Sequence, residues 1–191
     1  MTGGVVAVAV YAATLRITKL ITIPIKGYGS ALITVAGAAY GEKDYTKFDK
    51  SFKYTMNISI IVTFLLVIIF YIFTPQICSL FSSGNTQIIS YITDATRYLL
   101  IFMVFQCFSV IPCMLFQSVG KGTTSLILSL WRSIILKVIF TVGVFAILLN
   151  NGFYSIYNGY IMSLIFGGIV AFMWALRYIR KLKKSDDTIT I

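Results

Sequence analysis

Five long hydrophobic stretches, separated by short polar segments, follow one another along the chain of 191 residues. Crossing a hydrocarbon core of roughly 30 Å takes about 20 mostly apolar helical residues, a length that each stretch reaches. The polar segments contain the glycine, asparagine and charged residues that are typical of loops. The pattern therefore predicts an all-α integral membrane protein with a bundle of five transmembrane helices. The predicted helices cover about residues 5–40, 54–74, 88–119, 124–149 and 153–178, and a basic tail covers residues 179–191.

Composition excludes a soluble protein. Hydrophobic residues make up 58% of the chain, charged residues make up 12%, and the mean hydropathy is +0.89. Soluble domains carry about 25% charged residues, so this chain has too few charges to cover a globular surface. Five spans also leave no length for a soluble catalytic domain. We therefore expect residues 1–191 to form a single transmembrane domain.

Positive charges are distributed unevenly between the predicted loops. The successive loops and the tail contain 4, 0, 1, 0 and 5 lysine or arginine residues. Such residues concentrate on the cytoplasmic side, so the alternation predicts a cytoplasmic C-terminus and an external N-terminus. The start has no positive segment typical of a signal peptide, and we expect a preceding helix that this sequence lacks. The net charge of +10 lies in clusters beside apolar stretches, which favours membrane topology and no nucleic-acid partner.

Residues for covalent or metal chemistry are scarce. The chain has no histidine, and its three cysteines form no C-x-x-C pair, so we expect neither an enzyme nor a metal site, and no bound cofactor. It also lacks a phosphate-binding loop of the G-x-x-x-x-G-K type. None of its six carboxylates lies deep within a predicted span, although ion-coupled transporters usually keep one there.

Three cations interrupt the first predicted helix. At 100° per residue, Arg16, Lys19, Lys26 and Ser30 fall within an arc of roughly 80°, and so share one face. A lysine or arginine at the bilayer centre costs at least about 2.5–3.5 kcal/mol when it faces lipid. The stripe is therefore expected to face a polar interior and line a substrate path. The alternative is that these side chains snorkel from a long, protruding helix, Arg16 most readily.

The same helix contains Pro24, Gly27 and Gly29. A proline removes one helical hydrogen bond, and with nearby glycines it is typical of the bent or broken helices around transporter binding sites. These residues, together with Pro112 in the third helix, are candidates for a gating kink. A static kink filled by packing is the alternative.

Polar side chains in the third and fourth helices are further candidates for the path. Gln106 and Gln117 lie about 20° apart on one stripe, where they either bind substrate or form hydrogen bonds between helices. Arg132 and Lys137 lie about 140° apart in an ideal α-helix, so they are expected not to share a face, and at least one should face the bundle interior.

Near the outer end of the third helix, Asp94 and Arg97 are three residues apart. This spacing predicts a local ion pair between them rather than a binding site.

The order of the motifs resembles the multidrug and toxic compound extrusion (MATE) transporters. The first helix and its loop resemble the second helix of each MATE half and the basic loop that follows. Further similarities lie before and at the end of the third helix and within the fourth. The matching segments are IPIKGYGSA (residues 23–31), VAGAAYGEKDY (35–45), ICSLF (77–81), FQSVGKG (116–122) and SLWR (129–132), together with residues 7–17.

The resemblance implies helices eight to twelve of a twelve-helix transporter with two six-helix lobes. A complete transporter would need the N-terminal lobe or another chain, and would work in a cell membrane by antiport of Na⁺ or H⁺ against drugs or other organic molecules. Some members place a coupling carboxylate in helix ten, where this chain has no buried acid between Arg97 and Val119, so the coupling-ion site is expected outside it. Two alternatives stay open. One is a flippase for lipid-linked saccharides or polysaccharides from the same superfamily, and the other is a non-transporting membrane fragment or scaffold.

Overall fold

The structure, a computed structural model, describes the backbone of residues 2–79, 86–147 and 154–187 and the side chains of residues 9–79, 89–143 and 157–184. All regular elements in these ranges are helical. They form five helices long and apolar enough to cross a membrane, which confirms the predicted fold class. In chain order the elements are α1 (Thr2–Gly41), α2 (Tyr45–Ser79), α3 (Thr86–Phe102), a 3₁₀ turn (Met103–Gln106), α4 (Cys107–Ser118), α5 (Gly122–Leu130), a π segment (Trp131–Leu136), α6 (Lys137–Ile147) and α7 (Tyr154–Asp187).

These elements group into five spans. α1, α2 and α7 are the first, second and fifth spans. The third span joins α3 to α4 through the 3₁₀ turn, and the fourth joins α5 to α6 through the π segment. Two spans are therefore interrupted near their middle.

Several helix ends differ from the prediction. The second helix begins at Tyr45 rather than at residue 54, and it continues past Pro75 to Ser79. The last helix extends to Asp187, so most of the predicted basic tail is helical. Hydrophobic length marks the lipid-embedded part of a helix, whereas backbone hydrogen bonding lets the helix continue into water. The predicted ends at residues 149 and 153 lie outside the described residues.

The third span forms the centre of the bundle. In an 18-residue apolar window of this span 61% of the residues are buried, against 6% in the fourth span. Ile111 and Leu115 of α4 pack into an apolar cluster with Phe48 and Phe52 of α2, near the α1–α2 loop. A second cluster, which contains Leu99 of α3, occupies the opposite end.

The fourth span is held mainly by α7. A Cβ added at Gly159 would lie 2.6 Å from the Thr141 Cα, so the absence of a side chain lets α6 and α7 meet backbone to backbone. Small residues of this kind are common where membrane helices approach closely. Gly159 therefore sets the contact between α6 and α7.

One ionic contact ties α2 to the end of α7. The Asp49 carboxylate accepts hydrogen bonds from Lys53 and Lys183, with both N–O distances 2.9 Å, and its side chain is only 9% exposed. Lys183 belongs to the predicted basic tail, and in the structure it fastens α7 to α2.

Candidate functional site

The basic stripe of α1 lies on one face of the helix, as its spacing predicts. Arg16, Lys19, Lys26 and Ser30 are all exposed in the described bundle. The Ser30 hydroxyl donates to the Lys26 carbonyl at 3.0 Å, so its own helix satisfies it. These side chains lie on the surface of the five described spans rather than in their core. A role in a substrate path remains a prediction.

Large apolar side chains share this face with the cations. Ile23 is 63% exposed and lies within the arc of the stripe, and Leu20 is exposed beside it. Cations interspersed with apolar groups make the face amphiphilic. Such a surface suits contact with an organic molecule or a second protein surface better than contact with lipid tails alone.

The kink candidates of α1 occupy different surroundings. α1 is a continuous helix from Thr2 to Gly41, so Pro24 does not break it. A Cβ at Gly29 would lie 2.8 Å from Met114 Cγ, whereas nothing lies within 4 Å of a Cβ at Gly27. Gly29 therefore lets α1 approach α4, which supports the packing alternative at this position. Gly27 keeps its gating role as a prediction.

Pro112 is buried inside α4. The interruption of the third span lies before it, in the 3₁₀ turn Met103–Gln106. Pro112 itself therefore does not mark the break in this span, and its gating role remains a prediction.

Arg132 and Lys137 face the same small cavity, contrary to the prediction. In a π segment each amide bonds to the carbonyl five residues earlier, so residues five apart become neighbours. Arg132 lies within the segment Trp131–Leu136 and Lys137 follows it directly, and both side chains line a cavity of about 90 Å³. The 140° separation assumed an unbroken α-helix. We call this space the polar cavity.

The polar cavity lies where the two interrupted spans meet α7. Gln106, the last residue of the 3₁₀ turn, lines it together with Tyr160 and Ser163 of α7. The Arg132 Nη1 donates to Ser109 Oγ at 2.7 Å. The Lys137 Nζ lies 4.7 Å from the Tyr160 ring centroid, within range of a cation–π interaction. Gln106 and Arg132 were predicted from the sequence as path candidates, and Lys137 was noted beside Arg132, whereas Tyr160 and Ser163 were not predicted.

The Arg132 side chain packs against α7 at Gly167, which has no side chain. A Cβ at Gly167 would lie 2.8 Å from Arg132 Cγ. The pair Gly167 and Gly168 is the sequence signal that marks this approach, since paired glycines in a membrane helix indicate close contact. Lys19 lies close enough to Lys137 for their positive charges to interact, which connects the stripe of α1 to the polar cavity.

Gln117 does not join Gln106 in the polar cavity. Eleven residues in a helix span about 16 Å, so a shared stripe does not bring the two side chains together. The Gln117 Nε2 donates to Ser125 Oγ at 2.9 Å, across the loop from α4 to α5. This is the bond between helices that was the alternative to substrate binding.

The predicted ion pair of Asp94 and Arg97 is wrong. Every ion pair among the described side chains involves Glu42 or Asp49. Arg97 is half-buried and turns toward α2, where its guanidinium carbon lies 5.2 Å from the Tyr71 ring centroid. Asp94 is exposed on the same helix.

Groups for metal chemistry are not clustered in the described part of the chain. No three histidine, cysteine, aspartate or glutamate side chains lie together there. Cys78, Cys107 and Cys113 are buried and unpaired with one another.

Five apolar helices, two of which are interrupted beside a polar cavity, are the architecture of a polytopic membrane protein. The chain belongs to the MatE family, whose model matches residues 1–142. This match confirms the resemblance found in the sequence. A comparison with curated proteins finds no match.

Solved MATE structures share this fold. An inward-facing multidrug resistance MATE transporter of the MOP superfamily is 30% identical with a TM-score of 0.86, over 94% of this chain and 43% of that chain. An outward-facing one is 32% identical with a TM-score of 0.89, over 95% and 40%. A MATE protein in a bent conformation is 32% identical with a TM-score of 0.84, over 93% and 39%. The chain therefore spans about two fifths of the length of these transporters.

Proposed function

We propose that this chain forms most of the C-terminal lobe, helices eight to twelve, of an antiporter that exports drugs or other organic molecules. The observation that carries the proposal is the similarity to transporters in two opposite states, with TM-scores of 0.86 for the inward-facing and 0.89 for the outward-facing structure. Alternating access is largely a rigid-body movement of one repeat against another. A lobe that moves in this way keeps its internal structure, and therefore matches both states well.

In this proposal the exposed face of α1 borders the space between the lobes. Its cations need a polar environment, which a substrate path supplies and lipid tails do not. The N-terminal lobe, from the same or another chain, lies on the other side of this space. The C-terminus of this chain is cytoplasmic.

The coupling ion, Na⁺ or H⁺, binds outside this chain. Among the described side chains, the buried carboxylate is that of Asp49, near the start of α2. It is already paired with two lysines. The other described carboxylates are exposed. An acid for the coupling ion therefore has to come from elsewhere in the transporter.

The basic stripe favours a second candidate function, a flippase for anionic lipid-linked saccharides. Arg16, Lys19 and Lys26 are exposed and positive, and the nearby described residues of this face provide no carboxylate. A cationic drug would be repelled by this face, whereas a diphosphate or another acidic group would be attracted.

Transport by the full transporter in lipid vesicles separates these functions. An antiporter exports an organic cation when a Na⁺ or H⁺ gradient is imposed, and Lys26→Ala changes that rate. Lys50→Ala, an exposed lysine outside the stripe, is the matched control and should leave the rate unchanged.

Two results would overturn the antiporter proposal. One is flipping of an anionic lipid-linked saccharide that Lys26→Ala abolishes, without any gradient-driven export. The other is the absence of both activities, which would identify a non-transporting scaffold.

A further inference from the structure

We infer that the polar cavity is a binding site for a small monovalent inorganic anion of the chloride class. The π segment brings Arg132 and Lys137 to one side of a cavity of about 90 Å³, and α7 supplies Tyr160 on the other side. This assignment concerns binding within one lobe and does not depend on the proposed export function.

The charges of the polar cavity call for an anion. Arg132 carries five N–H donors and gives one described hydrogen bond, to Ser109. The Lys137 ammonium faces the Tyr160 ring. The described lining contains no carboxylate, and the described ion pairs involve other residues. Two cations that are partly withdrawn from water near the middle of a membrane protein are unfavourable without a counter-ion.

The neutral groups around the cations suit an anion as well. Tyr160 and Ser133 line the cavity, and their hydroxyls are potential donors. Gln106 Oε1 is buried and has no hydrogen-bond partner among the described residues. Rotation of this amide by 180° replaces the acceptor with an N–H donor. A neutral donor then joins the two cations around the same space.

The size of the polar cavity favours a small inorganic anion over an organic one. One water molecule takes about 30 Å³ of liquid volume, so a cavity of about 90 Å³ holds a halide ion with one or two waters. Pockets for drug-sized ligands measure about 300–1,000 Å³. A lipid head group or an organic substrate is therefore too large to enter completely.

The structure positions Arg132 by several independent features. Ser109 binds its guanidinium, Gly167 leaves room for its side chain, and the π segment brings Lys137 beside it. π-bulges occur frequently at functional sites, because an uninterrupted α-helix of the same sequence is otherwise preferred. The positive charge of Lys19 adds to the potential at Lys137.

Binding of chloride to the full chain, purified in detergent with gluconate as the only other anion, tests this inference. Radioactive chloride should bind saturably at one ion per chain, and bromide should displace it. Chloride should also raise the midpoint of thermal unfolding at constant ionic strength, since a ligand that binds only the folded state stabilises it. A thiol-reactive dye reports unfolding, because Cys78, Cys107 and Cys113 are buried.

Variants connect the binding to these residues. Lys137→Met should abolish saturable binding, and Tyr160→Phe, which keeps the shape of the ring, should weaken it several-fold. Lys121→Met is the matched control, since the Lys121 Nζ also lies over a tyrosine ring, 4.4 Å from the Tyr178 centroid, outside the cavity. It should bind chloride as the unmodified chain does.

Three results would overturn the inference. The first is the absence of saturable chloride binding to the unmodified chain. The second is unchanged affinity in both Lys137→Met and Tyr160→Phe. The third is displacement of chloride by low concentrations of phosphatidylglycerol, which would assign the cations to a lipid head group. Because the assay involves no transport, failure here leaves the export proposal standing.

Discussion

The third and fourth spans are both interrupted helices, but the third lies inside the bundle and the fourth lies at its surface. Each is interrupted near its middle, the third by the 3₁₀ turn Met103–Gln106 and the fourth by the π segment Trp131–Leu136. Yet 61% of an apolar window is buried in the third span and 6% in the fourth. The third span therefore carries the packing of the bundle, whereas the fourth supplies charges to the polar cavity.

The outer surface of the fourth span is strongly apolar. Leu126, Ile134 and Val142 are each at least 55% exposed. A helix with this surface contributes little to the core, and substitutions on it remove few contacts. The contrast between the two spans can therefore be tested with the same substitution made in each.

The largest expected effect comes from Ile111→Ala in the third span. Ile111 is fully buried, and its truncation leaves a cavity in the core that costs about 2–5 kcal/mol of unfolding free energy. Ile134→Ala in the fourth span is the matched control, and it should change this free energy by less than about 0.5 kcal/mol. Unfolding in mixed micelles measures both, and equal losses would contradict the contrast.

Gly159→Ala should have the next largest effect. The new Cβ meets the backbone at Thr141, which has no freedom to rotate away, so α6 must separate from α7. We expect a loss of about 1–3 kcal/mol, as for other overpacked sites. Gly27→Ala adds the same methyl group to open space, and thermal unfolding should show no loss of stability for it.

A comparable effect is expected where Asp49 joins α2 to the end of α7. Asp49→Asn removes the charge that Lys53 and Lys183 share, and should cost about 1–3 kcal/mol. Glu42→Gln is the control, since both partners of its ion pair with Lys47 are more than half exposed and such pairs contribute about 0–1 kcal/mol. Similar losses in thermal unfolding for the two variants would show that Asp49 does not fasten α2 to α7.

The smallest effect is expected from deletion of Ile134, an exposed residue of the π segment that does not line the polar cavity. The deletion turns the π turn into an α turn, so Arg132 and the former Lys137 become four residues apart and keep one face. Stability and chloride binding should therefore be largely retained. Deletion of Ile139 in α6 is the control, because it rotates the following residues by about 100° and breaks the contact at Gly159. Equal damage from the two deletions would contradict the assignment of the π segment.

The sequence predicts regular features well and interruptions poorly. Five spans follow from hydropathy, and the face of Arg16, Lys19 and Lys26 follows from a period of 100° per residue, because α1 is an unbroken helix. The π segment contains no proline or glycine, so composition does not reveal that Arg132 and Lys137 come together. Tyr160 and Ser163 lie in a different helix, and only the packing of α7 brings them to the polar cavity.

Accessibility of the α1 face to a water-soluble reagent tests the proposed substrate path. In the full transporter in membranes, single cysteines at Ser30→Cys and Ile139→Cys are treated with a charged, membrane-impermeant thiol reagent. Both positions are exposed in this bundle, and Cys78, Cys107 and Cys113 are buried, which limits background labelling. We expect Ser30→Cys to react, because it borders an aqueous path, and Ile139→Cys to remain unlabelled in lipid. An unreactive Ser30→Cys together with a reactive Ile139→Cys would contradict a substrate path along α1.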